Sequence, residues 1–183
     1  MPNPTMESPN VGNLQVGKGI VSFKRTGDAD FRDLGNVTSF VFTPEVETLE
    51  HFSSREGTKK KDLVITLEQK GTVTIVMEEF TAYNLSIMTL GTMDEAAVGG
   101  PEVEIFASVS VTGELRFVGT NDVGPKITID LYQVVFNPSG DLEMISDEWN
   151  NMEVEGDVLV APTGHAQVGK FGLAKFTNVT EVS

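Results

Sequence analysis

Residues Asp62–Met77 read DLVITLEQKGTVTIVM. Leu63, Ile65 and Leu67 alternate with Val64, Thr66 and Glu68, and Val73, Ile75 and Met77 alternate with Thr72, Thr74 and Val76. A period of two places each set on its own face of an extended strand. Gln69–Lys70–Gly71 between the runs has the length and the glycine of a turn. The stretch is therefore read as a hairpin of two antiparallel strands, apolar on one face and wet on the other.

Outward from this hairpin the same signal recurs. Lys18–Arg25 (KGIVSFKR) and Val37–Thr43 (VTSFVFT) are short, β-branched and aromatic. Val103–Val111 and Glu114–Val118 flank Thr112–Gly113, read as a tight turn. In Lys126–Phe136, Ile127, Ile129 and Leu131 oppose Thr128, Asp130 and Tyr132. Asp141–Ile145, Val154–Val160 and Gly169–Phe176 follow, separated by the turn chemistry of Pro138–Ser139–Gly140, Gly156–Asp157 and Pro162–Thr163–Gly164. One helix is predicted over Thr81–Leu90: Thr81 caps it, Tyr83, Ile87 and Leu90 share a face, and Gly91 supplies the left-handed stop. The expected fold is mainly β: two packed antiparallel sheets, sandwich or barrel-like, with one short α-helix, in a single domain spanning residues 1–183.

Pro44–Lys61 (PEVETLEHFSSREGTKKK) breaks the rhythm. It is long, charged and bracketed by strand signals, so it reads as a protruding hairpin or loop of the kind that carries function. Leu49 and Phe52 flank His51 within it, and apolar residues on a protruding segment call for a partner. Lys59, Lys60 and Lys61 form the only basic triplet. Thr92–Pro101 reads as a surface loop. An N-terminal arm, residues 1–17, and a C-terminal tail, residues 177–183, are expected to order against a neighbouring subunit.

Charge narrows the partners. The chain carries 13 bases and 27 acids, a net −14. Residues 1–70 hold nine bases and ten acids; residues 71–183 hold four bases and seventeen acids. Such a surface repels phosphates and argues against DNA reading through a basic patch. Without cysteine there are no disulfides, thiolate metal sites or thiol nucleophiles. His51 and His165 are distant in sequence, and no HExxH, GxSxG or GxxxxGK[ST] pattern occurs. Asp28–Ala29–Asp30 opens like a calcium loop but lacks its glycine and its closing glutamate. Glu78–Glu79 and Asp147–Glu148 read as solvated strand ends, because adjacent strand residues face opposite ways. Trp149, the only tryptophan, reads as a core or interface anchor. The first ten residues show no basic start and no apolar core of a signal peptide. No apolar run approaches the ~18 residues of a membrane span. The expectation is a protein that is not an enzyme, with no cofactor, no metal and no membrane partner.

A succession of short pieces over residues 31–91 is more specific. Phe31–Arg32–Asp33–Leu34–Gly35–Asn36 opens it; Glu47–Thr48–Leu49–Glu50–His51, Ser53–Ser54 and Gly57 follow; Asn84–Leu85 and Leu90–Gly91 close it. In order and spacing this resembles the tail tube (major tail) proteins of long-tailed, non-contractile bacteriophages. The resemblance covers about a third of the chain and implies a structural virion protein. Six-subunit rings would stack into a hollow tube that holds the tape measure protein and later passes DNA without binding it. Tail terminator and baseplate proteins would meet the ends of the tube. Assembly would take place in the host bacterial cytoplasm and the product would reside in the virion tail.

On that reading Leu49, His51, Phe52, Lys59, Lys60 and Lys61 form a ring-stacking loop, whose lysines meet acids on the next ring. Thr66, Glu68, Thr72, Thr74 and Asp130 are the candidates for the lumen wall. A solvated loop and an ordinary wet sheet face are the plainer alternatives. A secretion-tube subunit, a capsid decoration protein and a ligand-binding β-sandwich module are the competing functions.

Overall fold

The computed structural model describes residues 13–55 and 57–177. The N-terminal arm expected at residues 1–17 therefore lies outside the described residues up to residue 12. The C-terminal tail expected at residues 177–183 lies outside them from residue 178.

Among the described residues ten strands and one helix follow one another: β1 (Gly19–Arg25), β2 (Arg32–Asp33), β3 (Val37–Ser53), β4 (Lys60–Met77), α1 (Ala82–Met88), β5 (Thr92–Asp94), β6 (Glu102–Glu104), β7 (Val111–Gly119), β8 (Lys126–Pro138), β9 (Met152–Val158) and β10 (Gly172–Thr177). The fold is mainly β, with antiparallel sheets and one short helix. The sheets are unequal. The larger has eight strands in the order β2-β1-β7-β8-β9-β4-β3, with β10 also on β8; the smaller is the pair β5-β6.

The large sheet curls over on itself. Phe40 of β3 stacks on Phe117 of β7 at 5.3 Å between centroids, although three strands separate them in the hydrogen-bonded order. Inward residues then meet from several strands: Val21 and Phe23, Val73, Ile75 and Met77, Leu115, Val134 and Phe136, Met152 and Val154 are buried. The edge-to-face pair Phe23–Phe136, at 5.0 Å, lies in this core.

The helix closes one side. The Thr81 side chain accepts from the Asn84 backbone N–H at 3.1 Å, as the capping reading requires. Tyr83, Ile87 and Met88 enter the core. Arg25 ties the helix to the sheet, donating from Nη2 to Ser86 Oγ at 2.9 Å and from Nη1 to the Gly91 carbonyl at 3.3 Å.

Several expectations need correction. Asp62–Met77 is not a hairpin. It belongs to one continuous strand, β4, and Lys70 and Gly71 pair across to Glu45 and Pro44 of β3. Glycine at 71 serves close packing, not a turn: a Cβ there would come within 2.7 Å of the Phe42 ring. Thr112–Gly113 is likewise interior to β7, where Gly113 lies against the Lys24 carbonyl and the Phe23 ring. Val103–Val111 is not one strand, because turn and bend conformations separate β6 from β7 and Phe106 adopts φ 56°. Asp141–Ile145 forms no strand. The left-handed residue after α1 is Leu90, at φ 49°, while Gly91 makes room for the Glu104 carbonyl, 2.7 Å from where a Cβ would stand.

Burial, with Asp28 adding to it, pushes the Tyr83 phenol up to about 12 from its usual 10; its hydroxyl donates to the Phe23 carbonyl at 3.2 Å. A raised acid pKa favours the neutral folded state. This contribution is complete below pH 10 and is lost as pH rises toward 12. Urea unfolding across that range should show wild-type stability falling more steeply than that of Tyr83→Phe. Parallel pH profiles would contradict the assignment.

Candidate assembly surface

β3 and β4 pair from Val37↔Met77 to Ser53↔Lys60. Only the inner part has a core behind it. β9 backs β4 from Met77 to Gly71 and ends there at Val158. Beyond Thr43↔Thr72 the two strands continue as a ribbon, exposed on both faces almost throughout. The segment predicted at 44–61 is thus the outgoing strand and tip of a protruding hairpin, and the predicted strand 62–68 is its return. Pro44 lies on β3, the edge strand, where a sheet tolerates proline.

Two register shifts shape the ribbon, between Glu47 and Thr48 and between His51 and Phe52. Each leaves one residue of β4 unmatched, Leu67 and then Asp62, and so increases the local twist. Leu63, Val64, Ile65 and Leu67, which a hairpin reading would divide between a buried and a wet face, are all exposed, as are Val46, Leu49 and Phe52. Covering the free half of such a side chain contributes about 1 kcal/mol at ~25 cal/mol per Å². A polar fringe accompanies them. His51 Nδ1 stands 2.6 Å from Asp62 Oδ1, Lys70 is 3.5 Å from Glu68, and Lys61 is paired with Glu50 while its ammonium lies 6.0 Å from the Phe52 ring centroid. Of the lysine triplet, Lys61 is engaged within its own ribbon, Lys60 opposes Ser53 and Lys59 belongs to the tip.

The structure divides the five lumen candidates. Thr66 and Glu68 are on the ribbon. Thr72 and Thr74 lie on the outer face of the curled sheet, opposite Asp157 and Glu155 of β9. Asp130 is on β8, held by Arg116 at 2.6 Å, and Arg116 in turn lies over the Phe31 ring at 4.4 Å. Sequence reading missed the residues that do join Thr72 and Thr74. In β9, Met152, Val154, Gly156 and Val158 are buried, while Glu153, Glu155 and Asp157 are exposed. Every outward side chain of that strand is an acid. The signal was present in MEVEGDV, a strict alternation with acids at every second place. Asn137 of β8 extends this face, donating from Nδ2 to Asp157 Oδ2 at 3.2 Å.

Pieces of the 31–91 pattern also come together. Asn84 is buried and donates from Nδ2 to the carbonyls of Leu34 and Glu79, each at 2.9 Å. Glu79 accepts from the Asn36 backbone N–H at 2.8 Å. These contacts fasten α1 to the segment that leads into β3, and so set the root of the ribbon. The apolar groove at the outer end of β9, about 780 Å³, is lined by Val158, Leu159, Val160, Val168 and Phe171 together with Gln69 of the ribbon. Among the described residues no group of three or more His, Asp or Glu side chains has metal-binding geometry. Among the described residues no helix is long and apolar enough to cross a membrane.

The architecture is that of a curled antiparallel β domain that extends an apolar two-stranded ribbon into solvent. The chain belongs to the family described as protein of unknown function UCP028589, which matches residues 14–100 and 96–175. No curated protein matches it.

Replacing residues 45–70 with a two-residue Asn-Gly turn should leave the core intact, because Thr43↔Thr72 still closes the hairpin. Urea unfolding should stay cooperative and within about 1 kcal/mol of wild type. Loss of cooperative unfolding would mean that the ribbon is part of the core.

Proposed function

We propose that the protein is a structural subunit that polymerises through its ribbon into a hollow tube, the tail tube of a long-tailed, non-contractile bacteriophage. The observation that carries this reading is the ribbon itself. A two-stranded sheet with seven large apolar side chains in water is marginal alone and favours association with another surface. The likeness of residues 31–91 to tail tube proteins supplies the kind of assembly: six-subunit rings, stacked.

The charge distribution supports the same reading. Glu153, Glu155 and Asp157, with Thr72 and Thr74 beside them, make a polar, acidic sheet face. Turned toward a lumen, this face repels phosphates and lets DNA pass without sticking. The tape measure protein occupies that lumen before DNA does, and terminator and baseplate proteins cap the ends. The protein acts in the virion tail after assembly in the host cytoplasm, and its role is mechanical, with no catalytic step. The groove beside the ribbon root favours one other reading, a ligand-binding β module, which calls for a monomer with saturable binding.

Negative-stain microscopy of the purified chain, concentrated or seeded, distinguishes the two. Hollow filaments of uniform width are expected. Lys59→Glu, Lys60→Glu and Lys61→Glu combined should give a folded protein, by circular dichroism, that forms none. A wild-type chain that stays monomeric, or normal tubes from the triple variant, would contradict the proposal.

A further inference from the structure

The ribbon is half of a contact, and the fold presents a second surface that complements it. Residues 139–151 connect β8 to β9. Within them Trp149 is 94% exposed and Ile145 92%, and Met144 is exposed as well. Large apolar side chains so far out of the core are a docking feature rather than a packing one. The loop is nonetheless held in shape: Asn150 Nδ2 donates to the Glu143 carbonyl at 2.7 Å, and the Glu148 backbone N–H donates to Ser146 Oγ at 3.1 Å. A preformed loop loses less freedom when it binds.

Charge and position identify the occupant. Residues 139–151 carry four acids, Asp141, Glu143, Asp147 and Glu148, and no base. Residues 52–61, at the ribbon tip, carry four bases and one acid. Apolar Leu49 and Phe52 at the tip match Met144, Ile145 and Trp149 in the loop. The two surfaces cannot meet within one molecule. Met77 pairs with Met152, immediately after the loop, whereas Lys60 is at the other end of the same strand. At ~3.3 Å per residue, β4 separates them by about 55 Å.

We infer that the ribbon tip of one copy docks on the 139–151 loop of a second copy, with Trp149 as the apolar anchor and the four loop acids facing Arg55, Lys59 and Lys60. The contact is heterologous. A copy that has received a tip still offers its own tip at the far end, so addition continues from copy to copy, around a ring or along a tube according to the rotation that the contact imposes. Lysine and arginine over the indole face add a cation–π component to the charge pairing. This inference rests on the proposed assembly through the ribbon and assigns the receiving half of that contact.

A charge swap between two full-length variants tests it. One carries Lys59→Glu, Lys60→Glu and Lys61→Glu; the other carries Asp141→Lys, Glu143→Lys, Asp147→Lys and Glu148→Lys. Each alone should remain monomeric in sedimentation velocity, and an equimolar mixture should assemble. The single tryptophan reports directly on the wild type: on assembly its emission should shift to the blue and its quenching by acrylamide should fall. Trp149→Ala should weaken assembly at least about tenfold. Because the wild-type quenching needs no variant, the test survives misfolding of the quadruple variant.

Wild-type tubes in which Trp149 stays as accessible as in the monomer, or a mixture that fails to assemble from two folded variants, would overturn the docking surface and leave the tube reading standing. A closed dimer with Trp149 exposed would place the ribbon in the groove at its root and overturn the inference. A wild type that remains monomeric at every concentration would overturn both.

Discussion

The antiparallel pairing of β3 with β4 is the constraint on which the rest of the structure depends. The same ladder does two jobs. Near Val73, Ile75 and Met77 it has β9 on its flank and the core behind it, so side-chain burial stabilises the backbone pairing. Beyond Gly71 it has neither. A two-stranded ribbon in water gains little from its own hydrogen bonds, since water competes for every donor and acceptor. What the ribbon gains from the fold is direction. Its root is clamped by Phe42 over Gly71 and by the Asn84–Leu34–Glu79 contacts that fix the chain entering β3. Its two bulges add twist along its length.

The polar surface has a corresponding division. Acids fill the outward positions of β9 and the loop that precedes it, while the basic triplet stands at the ribbon tip. Individually, exposed ion pairs contribute about 0–1 kcal/mol, and Lys61 near the tip is already engaged by Glu50 within the ribbon. Apolar contact must therefore supply most of any association free energy, with charge choosing the partner and the orientation. In the proposed tube, repetition of a weak contact around rings and along the axis would turn a modest pairwise preference into a stable polymer.

Much of the fold was legible in the sequence, because alternation in Val73–Met77 reports directly on which side faces a core. The Thr81 cap and the Tyr83–Ile87 face located the helix for the same reason. The ribbon was harder. Alternation in Leu63–Leu67 looks identical whether the apolar face meets a core or a partner, and Gly71 has a turn's composition while serving a close contact with Phe42. Gly113 misled in the same way beside Phe23. Local composition records what a residue permits; which permission is used depends on strands distant in sequence. The outward acids of β9 were the reverse case, a plain periodic signal in MEVEGDV that the sequence reading cut across, with a strand only from Val154 and turn chemistry at Gly156–Asp157, two residues that are interior to β9. As for the assembly surface, Leu49, Phe52 and the lysines could be singled out as protruding, whereas the opposition of ribbon tip and Trp149 loop required the pairing of β4 with β9.

Amide hydrogen exchange, compared between the dilute monomer and the assembled protein, tests the central claim most directly: the ribbon is an unfinished element completed by another copy. In the monomer, amides of Val46–Gln69 should exchange orders of magnitude faster than those of Val73–Met77 and Phe136, because local opening there exposes no core. Assembly should slow the ribbon amides to rates approaching those of the core and leave the core amides unchanged. Ribbon amides that are as slow in the monomer as the core, or as fast in the assembly as in the monomer, would contradict the account.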